Sequence, residues 1–249
     1  MAPDLPLVRP ACINCGAGIF RMKTSPLIVF DLDGTLVDTA PDLIAALNVI
    51  LTREKLAPLP LASARNLIGG GARKLIERGL EAEGRMLGLA DINRLTDDFI
   101  AYYADHIAEE SRPFEGLETA LDDLVAQGCG LAVCTNKLEW LSRRLLDRLN
   151  LTARFAAICG GDTFGVAKPD PTILRQTVAR AGHEIASAIM VGDAGTDIGV
   201  ARRAGVPVIG VTFGYTEVPI ESLKPDLLIS HMGDLPAAVS ELRRPRQTG

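Results

Sequence analysis

Two aspartates directly follow an apolar stretch near the start of the chain. Residues 27–30 are all apolar, and they are followed by Asp31, Leu32, Asp33 and Gly34. A short continuous apolar run that ends at a turn signal is typical of a buried strand in a parallel sheet. Because successive strand side chains point to opposite faces, Asp31 and Asp33 are predicted to share one face. Two neighbouring acids repel unless a cation lies beside them, and Mg²⁺ prefers oxygen ligands. The pair therefore predicts a Mg²⁺ site, although the same residues also fit an ordinary Asp-Gly turn.

Polar residues also follow two later apolar runs, residues 131–134 and 188–191. They are Thr135 and Asn136 after the first run and Asp193 after the second, with Lys168 at the start of a helix in between. The carboxyl ends of strands in one parallel sheet meet at a single edge, which is where open α/β sheets bind their ligands. We therefore expect these side chains to converge with Asp31 and Asp33 on one site.

The elements that position these residues alternate between helices and strands from residue 111 onward. Helices are predicted over residues 117–127, 138–149 and 172–181, up to residue 204 and at the end of the chain, and strands over 131–134, 155–159, 188–191, 206–211 and 226–229. Strands that alternate with helices of this length indicate βαβ units. The sequence thus predicts an α/β fold with a doubly wound, Rossmann-like parallel sheet, formed by residues 25–39 and 111–249.

Residues 40–110 carry only helical patterns and are predicted to form a small α-helical cap domain inserted into the sheet domain. Within this segment Gly69, Gly70 and Gly71 precede Arg73 and Lys74 at the start of a helix. A helix N-terminus with nearby cations can bind an anion. Gly70, Gly71, Arg73 and Lys74 are therefore candidate substrate contacts, and the alternative is a flexible connection with solvated charges.

Composition argues against several classes of function. The chain has 249 residues, is 47% hydrophobic and carries a formal net charge of −5 without a long basic block. This balance speaks against a nucleic-acid partner, and no apolar run is long enough to cross a bilayer. Five scattered cysteines form no disulfide framework, which favours a reducing compartment. A cytoplasmic protein with a small-molecule partner is expected, as a monomer or a homodimer.

Residues 1–24 differ from the rest of the chain. They contain three prolines and no periodic pattern, and are predicted to be a poorly ordered extension. Cys12 and Cys15 could supply half of a zinc site, but no second Cys/His pair lies nearby. Met22 stands just before the first predicted strand and is a candidate translation start.

Taken together, these motifs resemble those of the haloacid dehalogenase-like (HAD) superfamily. Residues 31–35 are similar to its first motif, Thr135-Asn136 to its second, Lys168-Pro169 to its third and residues 192–197 to its fourth. The predicted helical segment falls where that family carries its cap domain. The local sequences at 37–43 and 69–73 resemble those of phosphoglycolate phosphatases, whereas residues 1–21 have no counterpart.

The resemblance implies a phosphatase mechanism. Asp31 would attack the phosphorus of a phosphate monoester and form an aspartyl-phosphate, and Asp33 would act first as acid and then as base. Mg²⁺ would be held by the Asp31 carboxylate, the Asp33 backbone carbonyl and the Asp193 carboxylate. The phosphate-binding residues would be Thr135, Asn136 and Lys168, and Asp197 would orient Lys168 or a metal-bound water.

Several alternatives remain on the same core. A small anionic ester such as 2-phosphoglycolate suits the cations of the predicted cap, but pyrophosphate and sugar phosphates stay open. Dehalogenation is disfavoured because it needs no proton donor such as Asp33, and a sugar-phosphate mutase is disfavoured by Thr35 after Gly34. A signalling receiver lacks a helical insert, and a non-catalytic phosphate-binding protein would not need every chemical position filled.

Overall fold

The computed structural model describes residues 25–216 and 218–243. Cys12, Cys15 and Met22 lie outside the described residues. In chain order the strands are β1 (Leu27–Phe30), β2 (Val37–Asp38), β3 (Arg112–Pro113), β4 (Gly130–Cys134), β5 (Ala157–Cys159), β6 (Ala188–Gly192), β7 (Val208–Val211) and β8 (Leu227–Ile229). The α-helices are α1 (Ala40–Arg53), α2 (Leu61–Ala64), α3 (Ala72–Ala82), α4 (Leu89–Asp105), α5 (Leu117–Ala126), α6 (Glu139–Arg148), α7 (Pro171–Arg180), α8 (Gly195–Ala204) and α9 (Leu235–Leu242).

Six strands form one parallel sheet in the order β5-β4-β1-β6-β7-β8, which confirms the predicted α/β fold. The apolar strand β1 lies inside this sheet, and its four side chains are fully buried. Ile28 and Phe30 join one hydrophobic cluster, whereas Leu27 and Val29 join another. Because side chains alternate along a strand, the two clusters lie on opposite faces of the sheet. A continuous apolar run is therefore required at β1.

Two predicted strands are shorter in the structure. Residues 152–154 form a short 3₁₀ turn, so pairing begins only at Ala157 rather than at Phe155. The N–H of Val206 donates to the Ala201 carbonyl, so this residue closes α8 and the strand begins at Val208. Local hydrogen bonds at the ends of helices and turns thus displace ladder pairing that the apolar pattern alone would allow.

Residues 40–105, which we call the helical insertion, contain α1 to α4, and the structure describes no strand within this range. Helix α1 packs against α3 and α4, and its buried residues Leu43, Leu47 and Ile50 belong to the same cluster as Phe30 of the sheet. At the base of the insertion β2 pairs with β3 in a two-stranded antiparallel ladder, which the sequence did not indicate. Two-residue strands are too short to carry a periodic signal.

None of the described helices is both long enough and apolar enough to span a membrane.

Candidate active site

The polar residues that follow β1, β4 and β6 meet at one edge of the sheet. In the parallel register Phe30 of β1 lies beside Val133 of β4 and Val191 of β6, so the three strands end at nearly the same level. The N–H of Asp31 continues the ladder to the Val191 carbonyl at 2.9 Å. The register therefore brings Asp31, Thr135 and Asp193 to a common edge, as the sequence predicted.

A buried lysine joins two of the acids. The Lys168 Nζ lies 2.8 Å from Oδ1 of Asp31 and 2.6 Å from Oδ1 of Asp197. Burial alone would lower the pKa of Lys168, but the carboxylates of Asp197 and Asp31 outweigh this effect and raise the pKa above its usual range. Lys168 is therefore a fixed positive charge directly beside Asp31.

Asp193 accepts hydrogen bonds from two loops, the one after β1 and the one after β7. Its Oδ1 accepts a hydrogen bond from the Thr35 hydroxyl at 2.8 Å, and its Oδ2 accepts one from the Tyr215 N–H at 2.6 Å. Gly34 has a φ of +84°, and a Cβ there would stand 2.3 Å from Asp193 Oδ2. Only glycine allows this close approach of the first loop to Asp193.

The carboxylates of Asp31, Asp193 and Asp197 form a buried acid cluster, with one ligand atom from each lying within 4.8 Å of the others. Burial raises the pKa of Asp31 to about 6 despite the adjacent Lys168, and it raises the pKa of Asp193 well above its usual range. In both residues burial disfavours the charged form of the carboxyl group. An all-oxygen donor set of this kind fits Mg²⁺.

Asp197 is held by the Lys168 ammonium and by the start of α8. Its Oδ1 contacts Lys168, and its Oδ2 accepts from the Ala194 N–H at 3.0 Å at the start of α8. These contacts fit the predicted role of orienting Lys168. The Asp193 oxygens instead accept from two neutral groups, the Thr35 hydroxyl and the Tyr215 N–H.

The Asp33 carboxylate is separate from the acid cluster. It pairs with Lys137, whose Nζ lies 2.9 Å and 3.2 Å from its two oxygens. Lys137 is only 7% exposed, and its ammonium also lies over the ring of Tyr103 at 4.4 Å from the centroid. The sequence did not predict a role for Lys137. The available signal was a lysine directly after Thr135 and Asn136 at a strand end.

Thr135 and Asn136 differ in how free their side chains are. The Thr135 hydroxyl accepts a weak hydrogen bond from the Lys137 N–H at 3.3 Å, so its own proton is available for a ligand. The Asn136 amide instead accepts from the Lys168 N–H at 2.7 Å and donates to the Lys168 carbonyl at 3.2 Å. The Asn136 side chain thus fixes the backbone of Lys168, a contact that the sequence did not predict.

A cavity of about 290 Å³ lies between the helical insertion and this edge of the sheet. Its core-side lining includes Asp31, Asp33, Thr135, Asn136 and Lys137, and its lining from the insertion includes Gly70, Gly71, Arg73, Phe99, Ile100 and Tyr103. A Cβ added at Gly71 would stand only 3.2 Å from the Asn136 carbonyl oxygen, so the insertion comes close to the site here. Residues of α3 and α4 line the side of the cavity that faces the insertion.

The two cations predicted to contact a substrate lie in different places. Arg73 lines this cavity, but its guanidinium is half exposed and pairs with Glu77 at 2.9 Å. Lys74 is exposed and lines a neighbouring cavity of about 250 Å³, which it shares with Gly70 and Thr216. The two residues are consecutive on α3, so their side chains point in different directions around the helix axis. The structure therefore does not bring Lys74 into the cavity that holds Asp31.

Comparisons with known proteins agree with this geometry. The family model described as haloacid dehalogenase-like hydrolase matches residues 28–211. Phosphoglycolate phosphatase of Caulobacter vibrioides is 48% identical over 211 residues, which are 85% of this chain and 89% of the relative. Phosphoglycolate phosphatase of Agrobacterium fabrum is 47% identical over 217 residues, covering 87% of this chain and 93% of the relative.

A solved structure supports the same assignment. The crystal structure of a predicted phosphoglycolate phosphatase from Haemophilus somnus aligns with a TM-score of 0.80 at 30% sequence identity, over 87% of this chain and 99% of that chain. The family match covers most of the described sheet together with the helical insertion. The chain belongs to the haloacid dehalogenase-like hydrolases.

Proposed function

We propose that this hydrolase cleaves small anionic phosphate monoesters through an aspartyl-phosphate on Asp31, with 2-phosphoglycolate as its substrate. The observation that carries the proposal is the buried contact of Asp31 with Lys168 beside the acid cluster. The names of the curated relatives support the choice of substrate.

Asp31 is suited to act as the nucleophile. Its Oδ1 accepts hydrogen bonds from the Leu32 N–H at 2.7 Å and from Lys168, so we assign Oδ2 as the attacking oxygen. A carboxylate that approaches a phosphate at 4 Å is opposed by about 4 kcal/mol for each pair of charges at an effective dielectric of 20. The Lys168 ammonium lowers this repulsion, and the Thr135 hydroxyl would donate to a phosphate oxygen.

The acid cluster fits Mg²⁺ as the second source of positive charge. We assign Asp31 and Asp193 as its carboxylate ligands and the Asp33 backbone carbonyl as a third, and Asp197 as the residue that orients Lys168. When bound, Mg²⁺ supplies charge neutralisation for the transferring phosphoryl group.

Asp33 would handle the protons in both half-reactions. When the bond from Asp31 Oδ2 to phosphorus forms and the ester P–O bond breaks, protonated Asp33 gives its proton to the leaving alkoxide and releases glycolate. The Asp33 carboxylate then takes a proton from water, whose oxygen attacks phosphorus. The Asp31–phosphorus bond breaks, and inorganic phosphate is released.

The helical insertion would serve as the cap over the site. Its residues Gly70, Gly71 and Arg73 line the shared cavity and are candidates for contacts with the carboxylate of the leaving group. Closing this cavity would exclude water from the first half-reaction. Lys74 belongs to the neighbouring cavity and is the weakest of the four predicted contacts.

The test is steady-state phosphate release with Mg²⁺ from 2-phosphoglycolate, pyrophosphate, glucose 6-phosphate and a nucleoside monophosphate. We expect kcat/KM to be highest for 2-phosphoglycolate and activity to be lost in EDTA. The D31N variant should lose more than about 10³-fold in kcat because no covalent intermediate can form. The matched control D147N changes an exposed aspartate on α6 and should retain parental activity.

The outcomes separate the parts of the proposal. A D31N enzyme as fast as the parent would overturn the aspartyl-phosphate mechanism. A flat profile over the esters would keep the phosphatase and remove 2-phosphoglycolate, and a preference for pyrophosphate would assign a pyrophosphatase on the same core.

A further inference from the structure

We infer that Lys137 is a positioning residue for Asp33, the proposed acid and base, and that α4 of the helical insertion supplies one wall of the Lys137 site. This inference rests on the proposed function of Asp33. It assigns a role to a buried cation that the family motifs quoted above do not include.

The geometry of the Lys137–Asp33 pair restricts the Asp33 carboxylate. The Lys137 ammonium contacts both carboxylate oxygens of Asp33, at 2.9 Å and 3.2 Å, and its side chain is only 5% exposed. The two residues lie in the loops after β4 and β1, 104 positions apart in sequence. A contact to both oxygens fixes the carboxylate plane as well as its distance, and so defines where Asp33 can deliver a proton.

The Lys137 ammonium is a buried charge with two partners. A buried ammonium is costly unless it is paired, and Asp33 and the face of the Tyr103 ring are the partners that surround it. Loss of Lys137 would remove the ammonium that contacts both carboxylate oxygens of Asp33.

Lys137 and Lys168 contact different carboxylates of the site. Lys168 already occupies the position beside Asp31, with its ammonium between Asp31 and Asp197. The site thus contains two lysine–carboxylate sets, one at the nucleophile and one at the proposed acid. This division predicts that Lys137 affects proton transfer to the leaving group more than binding of the phosphate.

Helix α4 of the helical insertion places the Tyr103 ring beside Lys137. Tyr103 lies in the last turn of α4, is 1% exposed, and stacks on Phe99 with ring centroids 5.9 Å apart. Both rings line the cavity above the site. The Lys137 ammonium therefore has both of these partners, Asp33 and the Tyr103 ring, only when α4 lies against the core. The Lys137 ammonium thus couples the orientation of Asp33 to the position of the helical insertion.

The experiment measures the single-turnover rate of phosphoenzyme formation in K137M with three esters. 2-Phosphoglycolate and ethyl phosphate release poor alkoxide leaving groups, whereas p-nitrophenyl phosphate releases a stable phenolate that needs no protonation. We expect K137M to lose about 10- to 100-fold with both alkyl esters, within the range that general acid catalysis contributes, and less than about threefold with p-nitrophenyl phosphate. The affinity for inorganic phosphate should stay within about threefold of the parent.

Two further variants complete the design. K137R keeps a cation that can pair with Asp33 and should recover part of the loss with the alkyl esters; it also serves if K137M does not fold by circular dichroism. K55M makes the same chemical change at an exposed lysine after α1 and should behave as the parent.

Three results would overturn the inference. They are an equal loss with all three esters, no loss with any of them, and a loss confined to 2-phosphoglycolate with a raised KM. The last would mean that Lys137 contacts the substrate carboxylate instead. Failure of the proposed function is seen separately, since the parent would then form no phosphoenzyme with any ester.

Discussion

Asp193 is a buried carboxyl group whose charged form its two hydrogen bonds do not fully stabilise. Thr35 and the Tyr215 backbone hold its oxygens, yet burial and the neighbouring acids Asp197 and Asp31 raise its pKa. One pKa unit corresponds to about 1.4 kcal/mol of differential interaction, so the ionised form of Asp193 destabilises the metal-free protein. A bound divalent cation would convert the same charge into a favourable ligand.

We therefore expect D193N to separate stability from metal binding. Without metal, D193N should unfold at the same temperature as the metal-free parent or at a higher one, because the substitution removes a buried charge. It should lose the Mg²⁺-dependent rise in Tm, which for the parent corresponds to about 2.7 kcal/mol at 100 times Kd. Differential scanning fluorimetry with Mg²⁺ and with EDTA measures both effects.

The exposed substitution D147N is the matched control for this experiment and should keep the Mg²⁺ response of the parent. If D193N retained the full Mg²⁺-dependent shift, Asp193 would not be a ligand, and the cation site would have to be sought elsewhere.

At the scale of single residues the sequence predicted which side chains meet but only some of the pairs that they form. Asp31, Thr135 and Asp193 directly follow strands of one sheet, so the parallel register brings them together. The pairing of Lys137 with Asp33 depends on side-chain rotamers across 104 positions, which no local pattern encodes.

The two chain segments that enter and leave the helical insertion are joined by one carboxylate. Asp42, in the first turn of α1, accepts hydrogen bonds from the Ser111 hydroxyl at 2.6 Å, the Ser111 N–H at 2.9 Å and the Glu110 N–H at 3.0 Å. Asp42 is 4% exposed, so these bonds form away from water. They tie the start of α1 to the segment just before β3.

D42N should destabilise the protein by about 2–3 kcal/mol. The amide keeps the shape of the side chain but loses the charge, and hydrogen bonds to a charged group are each worth about 1.5–3 kcal/mol. Equilibrium urea unfolding would show this change as a lower midpoint at constant slope.

D91N is the matched control, because Asp91 also lies in a first helical turn, that of α4, but is exposed. Its loss should cost less than about 1 kcal/mol, the usual size of an exposed charge–dipole effect. Equal effects of D42N and D91N would show that the three hydrogen bonds add nothing beyond the helix dipole.

At the scale of elements, the strength of the apolar sequence pattern decided which strands could be predicted. The fully buried strands β1, β4 and β6 carry continuous apolar runs and were located to within a residue. The β2–β3 ladder has two residues on each side and no pattern. It depends on the return of the chain after residue 105, which is a property of tertiary structure.

In the whole molecule, the helical insertion and the sheet share one hydrophobic cluster, which extends from Phe30 through Leu47 to Phe99. The amphipathic pattern of the insertion predicted helices, but the faces that cover the site follow from how α3 and α4 rotate against α1. This rotation places Arg73 and Ile100 on the main cavity and Lys74 on its neighbour. The size of the main cavity is thus a property of packing between two parts of the chain.

If this packing sets the choice of substrate, then shortening one wall should relax it. Ile100 lies on α4, lines the cavity and is only partly buried, so I100A removes wall volume with a modest loss of core packing. A hydrophobic pocket discriminates by about 1–3 kcal/mol per methylene group. We expect kcat/KM for glucose 6-phosphate, relative to 2-phosphoglycolate, to rise about tenfold in I100A. The control V125A trims an exposed side chain on α5, outside the cavity lining, and should leave the ratio unchanged. An unchanged ratio in I100A would mean that polar contacts, not the apolar wall, select the substrate.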